Sequence, residues 1–210
     1  MGEDKELLRQ TERFFKEKVE SFGATFQGVG WNSTEAQRIR YDQLTKLFSQ
    51  EGERAFSVCD YGCGYGYYLQ YLQERGYRCS YTGMDLSESM IACANETYGG
   101  REDAVFVQGT KLEQTYDYIV ESGIFNVRQS VEADVWTDYM MEIIETFHMH
   151  SKKGFAFNCL TGYSDAEHMR EDLYYADPLF WFDYAKHHFS QNVALLHDYG
   201  LYDFTIIVRK

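Results

Sequence analysis

Apolar and polar positions change period several times along the chain, and each change marks an element. Glu3 to Phe22 places Leu7, Leu8, Phe14, Phe15, Val19 and Phe22 among charged residues, an imperfect stripe that predicts a helix packed on the body of a domain. Gly23 to Trp31 follows, with Phe26 and Trp31 set among glycines. That composition suits either a loop with buried anchors or a lid that closes over a ligand. Asn32-Ser33-Thr34-Glu35 is a helix start signal, and the helix is expected to run to about Gln50 with Ile39, Leu44, Leu47 and Phe48 inward.

From residue 55 the period shortens. Ala55 to Cys59 is an apolar run ending at Asp60, after which Gly62, Gly64 and Gly66 stand at alternate positions. A buried strand feeding a tight turn is the reading. Tyr67 to Arg75 carries Tyr68, Leu69, Tyr71 and Leu72 at helical spacing, so the turn opens a helix. The alternation continues with a strand over Arg78 to Met84, ending at Asp85, and a Ser87-capped helix over Glu88 to Tyr98. Strands are then expected at Ala104 to Gln108, Tyr116 to Val120 and Gly154 to Leu160, with a helix over Val135 to His150. Thr161 to Ala176 is polar and irregular, and Asp177-Pro178 opens a further helix, with proline where a helix tolerates it. Two β-rich runs, Val193 to Leu196 and Phe204 to Val208, flank a turn containing Gly200 and predict an antiparallel hairpin.

Five β/α alternations closed by a hairpin predict an α/β fold, a Rossmann-like, doubly wound, mostly parallel sheet with a C-terminal antiparallel β-hairpin. With 210 residues the chain is expected to be one domain. Residues 1–50 would supply N-terminal helices and the lid segment, and residues 51–210 a ligand-binding core with the hairpin at 193–209. A net charge of −13 sets the overall field against nucleic acid and anionic membrane and favours a small partner. The five cysteines lack zinc-type spacing, which predicts reduced thiols. The charged start without an apolar h-region and the lack of a long apolar run predict a cytoplasmic location.

Strand, glycine turn and helix is a layout in which backbone passes close to a nucleotide-like ligand. The glycines run Gly-x-Gly-x-Gly rather than Gly-x-Gly-x-x-Gly, and Asp60 precedes them by two residues. A carboxylate there is unwelcome beside a pyrophosphate, which counts against a dinucleotide. Asp60-Tyr-Gly-Cys-Gly-Tyr-Gly66, Gly83-Met-Asp85-Leu-Ser and the terminal hairpin together resemble class I S-adenosylmethionine-dependent methyltransferases, from about Arg40 to Lys210.

The resemblance implies S-adenosylmethionine as cofactor and S-adenosylhomocysteine as product. It implies that Gly62, Gly64 and Gly66, with Tyr61 and Cys63 in the same turn, lie against the methionine and ribose, that Asp60 suits the methionine ammonium, and that Asp85 accepts from the ribose hydroxyls. Leu86 or Met84 would flank adenine. Gly109-Thr110 stands where the family usually has an acidic residue, so Thr110 or backbone would replace that contact. Glu121 and Ser122 would line the sulfonium region, and Arg40 or Arg38 would reach a ligand carboxylate.

The base-methylating Asn/Asp-Pro-Pro-aromatic segment, the Pro-Cys nucleophile and the catechol-type metal set are not evident, which predicts a metal-independent enzyme without a nucleic-acid substrate. The acceptor side is expected at Trp31, Phe125, Asn126, Asn158, Tyr163, Tyr174, Tyr175 and Tyr199. His197 is the candidate base, since strand six should run parallel to its neighbours and an imidazole titrates near neutral pH. The expected reaction is methyl transfer to a small-molecule acceptor, at a hydroxyl oxygen of a sugar, nucleotide-sugar or natural product. A protein side-chain methyltransferase and a non-catalytic S-adenosylmethionine binder stay open, as does the choice between monomer and homodimer.

Overall fold

The structure, a computed structural model, describes Thr25, residues 33–52 and residues 54–210. The expected helix Glu3 to Phe22, Phe26, Trp31 and Asn32 lie outside the described residues. Seven strands form a mostly parallel mixed sheet, and the described chain resolves into two compact units.

The first unit holds residues 51–111 and the described residues up to Tyr41. Helix α1 (Thr34–Leu44) starts behind Ser33, whose hydroxyl accepts from the Ala36 amide at 3.0 Å. It ends earlier than expected and tightens into a 3₁₀ turn, Thr45–Phe48. The hydroxyls of Thr45 and Ser49 donate to the carbonyls of Asp42 and Lys46, local bonds that compete with helix continuation. Gln37, Arg40, Tyr41, Gln43 and Leu44 are the buried positions, whereas Ile39, expected inward, is only half-buried.

Strands β1 (Phe56–Tyr61), β2 (Cys79–Asp85) and β3 (Ala104–Gln108) are parallel, with β2 central in this unit. Their register pairs Asp60 with Gly83 and Tyr61 with Met84, then Gly83 with Phe106 and Asp85 with Gln108. Helix α2 (Tyr67–Glu74) buries Tyr68, Leu69, Tyr71 and Leu72, the stripe read from the sequence. Tyr41 packs on it, its ring centroid 4.7 Å from that of Tyr68 and 5.4 Å from that of Tyr71. Helix α3 (Glu88–Tyr98) has the expected limits, with the Ser87 hydroxyl accepting from the Met90 amide. Two glycines here make room for one ring. A Cβ at Gly66 or at Gly83 would come within 2.7 Å of Phe106, and at Gly83 also within 2.9 Å of Cys63 Sγ.

In the second unit, β4 (Tyr116–Ser122), β5 (Ser151–Leu160), β7 (Asp203–Arg209) and β6 (Asn192–Leu196) lie side by side in that order. β4 and β5 are parallel, and β7 is antiparallel to both β5 and β6. β6 therefore runs with β5, as the argument for His197 required. Helices α4 (Ala133–His150) and α5 (Pro178–His188) complete the unit, the latter capped by Asp177 Oδ1, which accepts from the Leu179 amide at 2.9 Å. Phe125, Phe147, Phe155 and Phe157 are fully enclosed, with Phe157 edge-on to Trp181. Each such side chain contributes about 1.5–3 kcal/mol through removal from water. No described helix is long and apolar enough to cross a membrane.

Candidate functional site

The turn after β1 is built from its own hydrogen bonds. Gly62, Gly64 and Gly66 have φ of 82°, 54° and 84°, the left-handed region where a side chain is strained. The amides of Gly62 and Cys63 both donate to the Met84 carbonyl, at 2.7 and 3.0 Å. Gly64 donates its amide to Asp85 Oδ2 at 2.9 Å, and Gly66 donates to the Cys63 carbonyl. These four amides are thus engaged within the protein. These four are thereby withdrawn from any outward N–H cluster of the kind that holds a pyrophosphate.

The carboxylates dominate instead. Asp85, at the end of β2, is held at both oxygens, since Ser87 donates its amide to Oδ1 at 2.9 Å. Each oxygen keeps a second lone pair for a ligand hydroxyl. Burial raises the Asp85 carboxyl above the usual range, and the Ser87 and Gly64 amides oppose that rise. Asp60, 4% exposed, accepts a 2.6 Å hydrogen bond at Oδ2 from the Tyr81 hydroxyl. Desolvation pushes Asp60 from the ordinary 3.8 up to about 7, with Tyr81 pulling it down and the charge of Asp85 adding to the rise.

Around these groups, Tyr61 is buried and donates its hydroxyl to the Thr110 carbonyl at 2.8 Å. Gly109 donates its amide to the Asp85 carbonyl, which ties the end of β3 to the end of β2. Leu86, Gly109 and Thr110 are half-buried and Met84 is buried. Burial pushes the Cys63 thiol well up, and all five cysteines are free. Arg40 is buried and donates to the Ala36 carbonyl of its own helix, while Arg38 pairs with Glu74 at 2.7 Å.

The acceptor-side candidates in the second unit take different places in it. Phe125 is fully enclosed against Phe147 and Phe157, so it builds the core rather than lining a surface. Asn126 is a fastener: its Oδ1 accepts from the Leu160 amide and its carbonyl from the Tyr174 amide. Tyr174 is buried and its hydroxyl meets Thr137. Glu121 closes a 3₁₀ turn by accepting from the Ile124 amide at 2.6 Å.

A row of polar groups crosses β4, β5 and β7 in register, from Ser122 through Asn158 to Thr205. Asn158 Nδ2 donates to Ser122 Oγ at 3.1 Å, its Oδ1 is buried without a partner, and Thr205 Oγ1 meets the Tyr199 hydroxyl at 3.1 Å. Either orientation of the amide leaves one of its polar atoms unpaired, because the Ser122 hydroxyl both donates and accepts. His197 is exposed at the end of β6, beside the rings of Tyr163 and Phe204. Tyr175 is half-buried, its hydroxyl accepting from the Arg170 amide. Among the described residues, no group of three His, Cys, Asp or Glu side chains is placed to hold a metal ion.

Tyr81 is the residue sequence reasoning missed. Its side chain meets Asp60 across the β1–β2 ladder, a pairing 21 positions apart that no local pattern announces. The one signal was an isolated tyrosine in β2, four positions before Asp85.

Comparison with known proteins bears on the family and the fold. Residues 32–205 match the family model described as "Methyltransferase domain". A protein of Mycobacterium tuberculosis (strain ATCC 25618 / H37Rv) named "Putative methyltransferase Rv1506c" is 49% identical over 155 residues, covering 74% of this chain and 93% of that one. The N-methyltransferase NodS from Bradyrhizobium japonicum WM9, solved with S-adenosyl-L-homocysteine, superposes with a TM-score of 0.65 at 14% identity, covering 95% of this chain and 98% of that one. The DhpI-SAH complex gives 0.64 at 15% identity, covering 96% and 95%. The fold is thus the one these solved structures share, and by its match to the family model and to its mycobacterial relative the chain belongs to the methyltransferase domain family.

Proposed function

We propose that the protein transfers the methyl group of S-adenosylmethionine to a small-molecule acceptor, at a hydroxyl oxygen. The observation that carries the cofactor reading is the turn's hydrogen bonding. Four of its amides are turned inward, onto Met84, Asp85 and Cys63, and two carboxyl groups stand beside it. Such a site repels a pyrophosphate and suits a ligand that brings a cation and a diol. Asp85 would accept from the two ribose hydroxyls, and Asp60 would face the methionine ammonium. Met84 and Leu86 supply apolar surface for adenine, with Gly109 and Thr110 at its edge. The residues present therefore fit the cofactor, which when bound supplies an electrophilic methyl on a sulfonium.

For the acceptor, the chain's part is to hold a nucleophile in line and to take its proton where one must leave. We assign the latter to His197, a reading supported by its exposure at the end of β6 and by the neighbouring Tyr163, a ring 66% exposed. The strong net negative charge supports an uncharged or cationic small acceptor over a polyanion. The test is formation of S-adenosylhomocysteine with parallel panels of hydroxyl and amine acceptors. Turnover with hydroxyl compounds is the expected result. Turnover confined to amines would overturn the acceptor assignment, and no turnover beyond an acceptor-free control would leave a cofactor binder.

A further inference from the structure

Asp60 is a carboxyl group in a nest of phenols. Tyr81 from β2 donates to its Oδ2 at 2.6 Å, and Oδ1 keeps its lone pairs for a ligand in the proposal that follows. Tyr41 of α1 and Tyr68 of α2 are buried close enough for the Asp60 charge to oppose their ionisation. Burial first, and then that charge, holds the Tyr41, Tyr68 and Tyr81 hydroxyls well above the ordinary tyrosine value, so all three stay protonated. The remaining titratable neighbours are Asp85 and the Cys63 thiol. Among the described residues, the groups facing Asp60 are thus acids or neutral hydroxyls, and none is a cation.

We infer that Tyr81 is a positioning residue that controls the ionisation of Asp60 and so couples binding of the cofactor's ammonium group to the release of a proton. This rests on the cofactor reading above. The exchange balances simply. A protonated Asp60 gives its proton to solvent, the ammonium of the ligand takes up the position facing the new carboxylate, and no bond to carbon is made or broken. Burial raises the Asp60 carboxyl to about 7, so near neutral pH about half of the ligand-free molecules carry the proton that binding must expel. The Tyr81 hydroxyl opposes that protonation, because a hydrogen bond to an ionised acceptor favours the charged form by a factor of about ten to a hundred.

The experiment is calorimetric titration of S-adenosylhomocysteine into the wild-type chain and Tyr81→Phe between pH 6 and 8.5, each in two buffers of different ionisation enthalpy. 5′-Methylthioadenosine, which has the nucleoside and thioether but no ammonium, is the control ligand. The wild type should release about half a proton per S-adenosylhomocysteine at pH 7, and Tyr81→Phe close to one. Affinity of Tyr81→Phe for S-adenosylhomocysteine should fall about five- to fifty-fold at pH 7 and recover most of the loss at pH 8.5. 5′-Methylthioadenosine should bind both proteins alike and without the pH dependence.

Asp60→Asn, with Tyr81 intact, should abolish proton release. If both ligands bind but no proton is released, or if Tyr81→Phe weakens both equally at every pH, the inference is wrong while the cofactor reading stands. If neither ligand binds the wild type, both fall together.

Discussion

Asp60 should make the fold less stable in alkali than in acid, and removing its charge should remove that dependence. Its carboxyl is raised from the ordinary 3.8 to about 7, and burial is the main cause. The folded state therefore holds a proton that the unfolded state has released over that interval, so stability falls as pH rises from about 4 to about 7. Above that window the full cost is present, and the gap between 3.8 and about 7 corresponds to about 4 kcal/mol. Asp60→Asn removes this cost while its carboxamide oxygen still accepts from Tyr81. The new NH₂ group, where it finds no partner, returns about 1–3 kcal/mol. The net expectation is a gain of about 1–3 kcal/mol at pH 8 and a neutral or slightly negative effect at pH 5. Urea unfolding of both proteins at pH 5 and pH 8 measures this directly. The reasoning is refuted if the two stability profiles run parallel across that range, because the wild-type pH dependence would then owe nothing to Asp60.

Two other substitutions probe the fold and the chemistry separately. Gly66→Ala should lower stability by about 1–3 kcal/mol, because the new Cβ meets the Phe106 ring at 2.7 Å on a backbone with φ of 84°; an unchanged melting temperature would show that the ring yields freely. His197→Asn should reduce turnover with a hydroxyl acceptor by about 10²–10⁴-fold with little change in S-adenosylhomocysteine affinity. Equal wild-type and variant rates at all pH values would remove it from the base role.

Much of the fold was legible because its signals are local. The Ser87 cap and the apolar face of α3 define that helix to the residue, and the run Ala104–Gln108 is β3 as read. Limits were misplaced where a polar residue sits inside the ladder. β1 continues through Asp60 to Tyr61 and β4 through Glu121 to Ser122, although their apolar runs stop earlier. Polar residues at strand ends look like loop in the sequence, yet their backbones still pair with the neighbouring strand. β5 likewise starts at Ser151, directly after α4, because Ser151 and the lysines behind it join the ladder without an apolar signal.

The candidate site was legible in part, for the same reason. Gly62, Gly64, Asp60 and Asp85 announce themselves by type and spacing within one strand–turn–helix unit and the strand after it. Their bonding does not, since the inward amides and the Tyr81–Asp60 pair depend on the register between β1 and β2. Phe125 and Asn126 show the limit on the acceptor side. Both follow β4 as a lining residue would, but tertiary packing uses one as core and the other to fasten β5.

The central claim is that the Asp60–Gly66 turn and Asp85 bind S-adenosylmethionine through carboxylates rather than through amides. Calorimetric titration of S-adenosylhomocysteine into the wild type and Asp85→Ala tests it most directly. Removal of both acceptor oxygens from the ribose hydroxyls should weaken binding by at least about ten-fold, the worth of a charge-assisted hydrogen bond. Saturable one-to-one binding to the wild type with that loss in the variant is the result the account requires. Binding of equal strength to both proteins would contradict it.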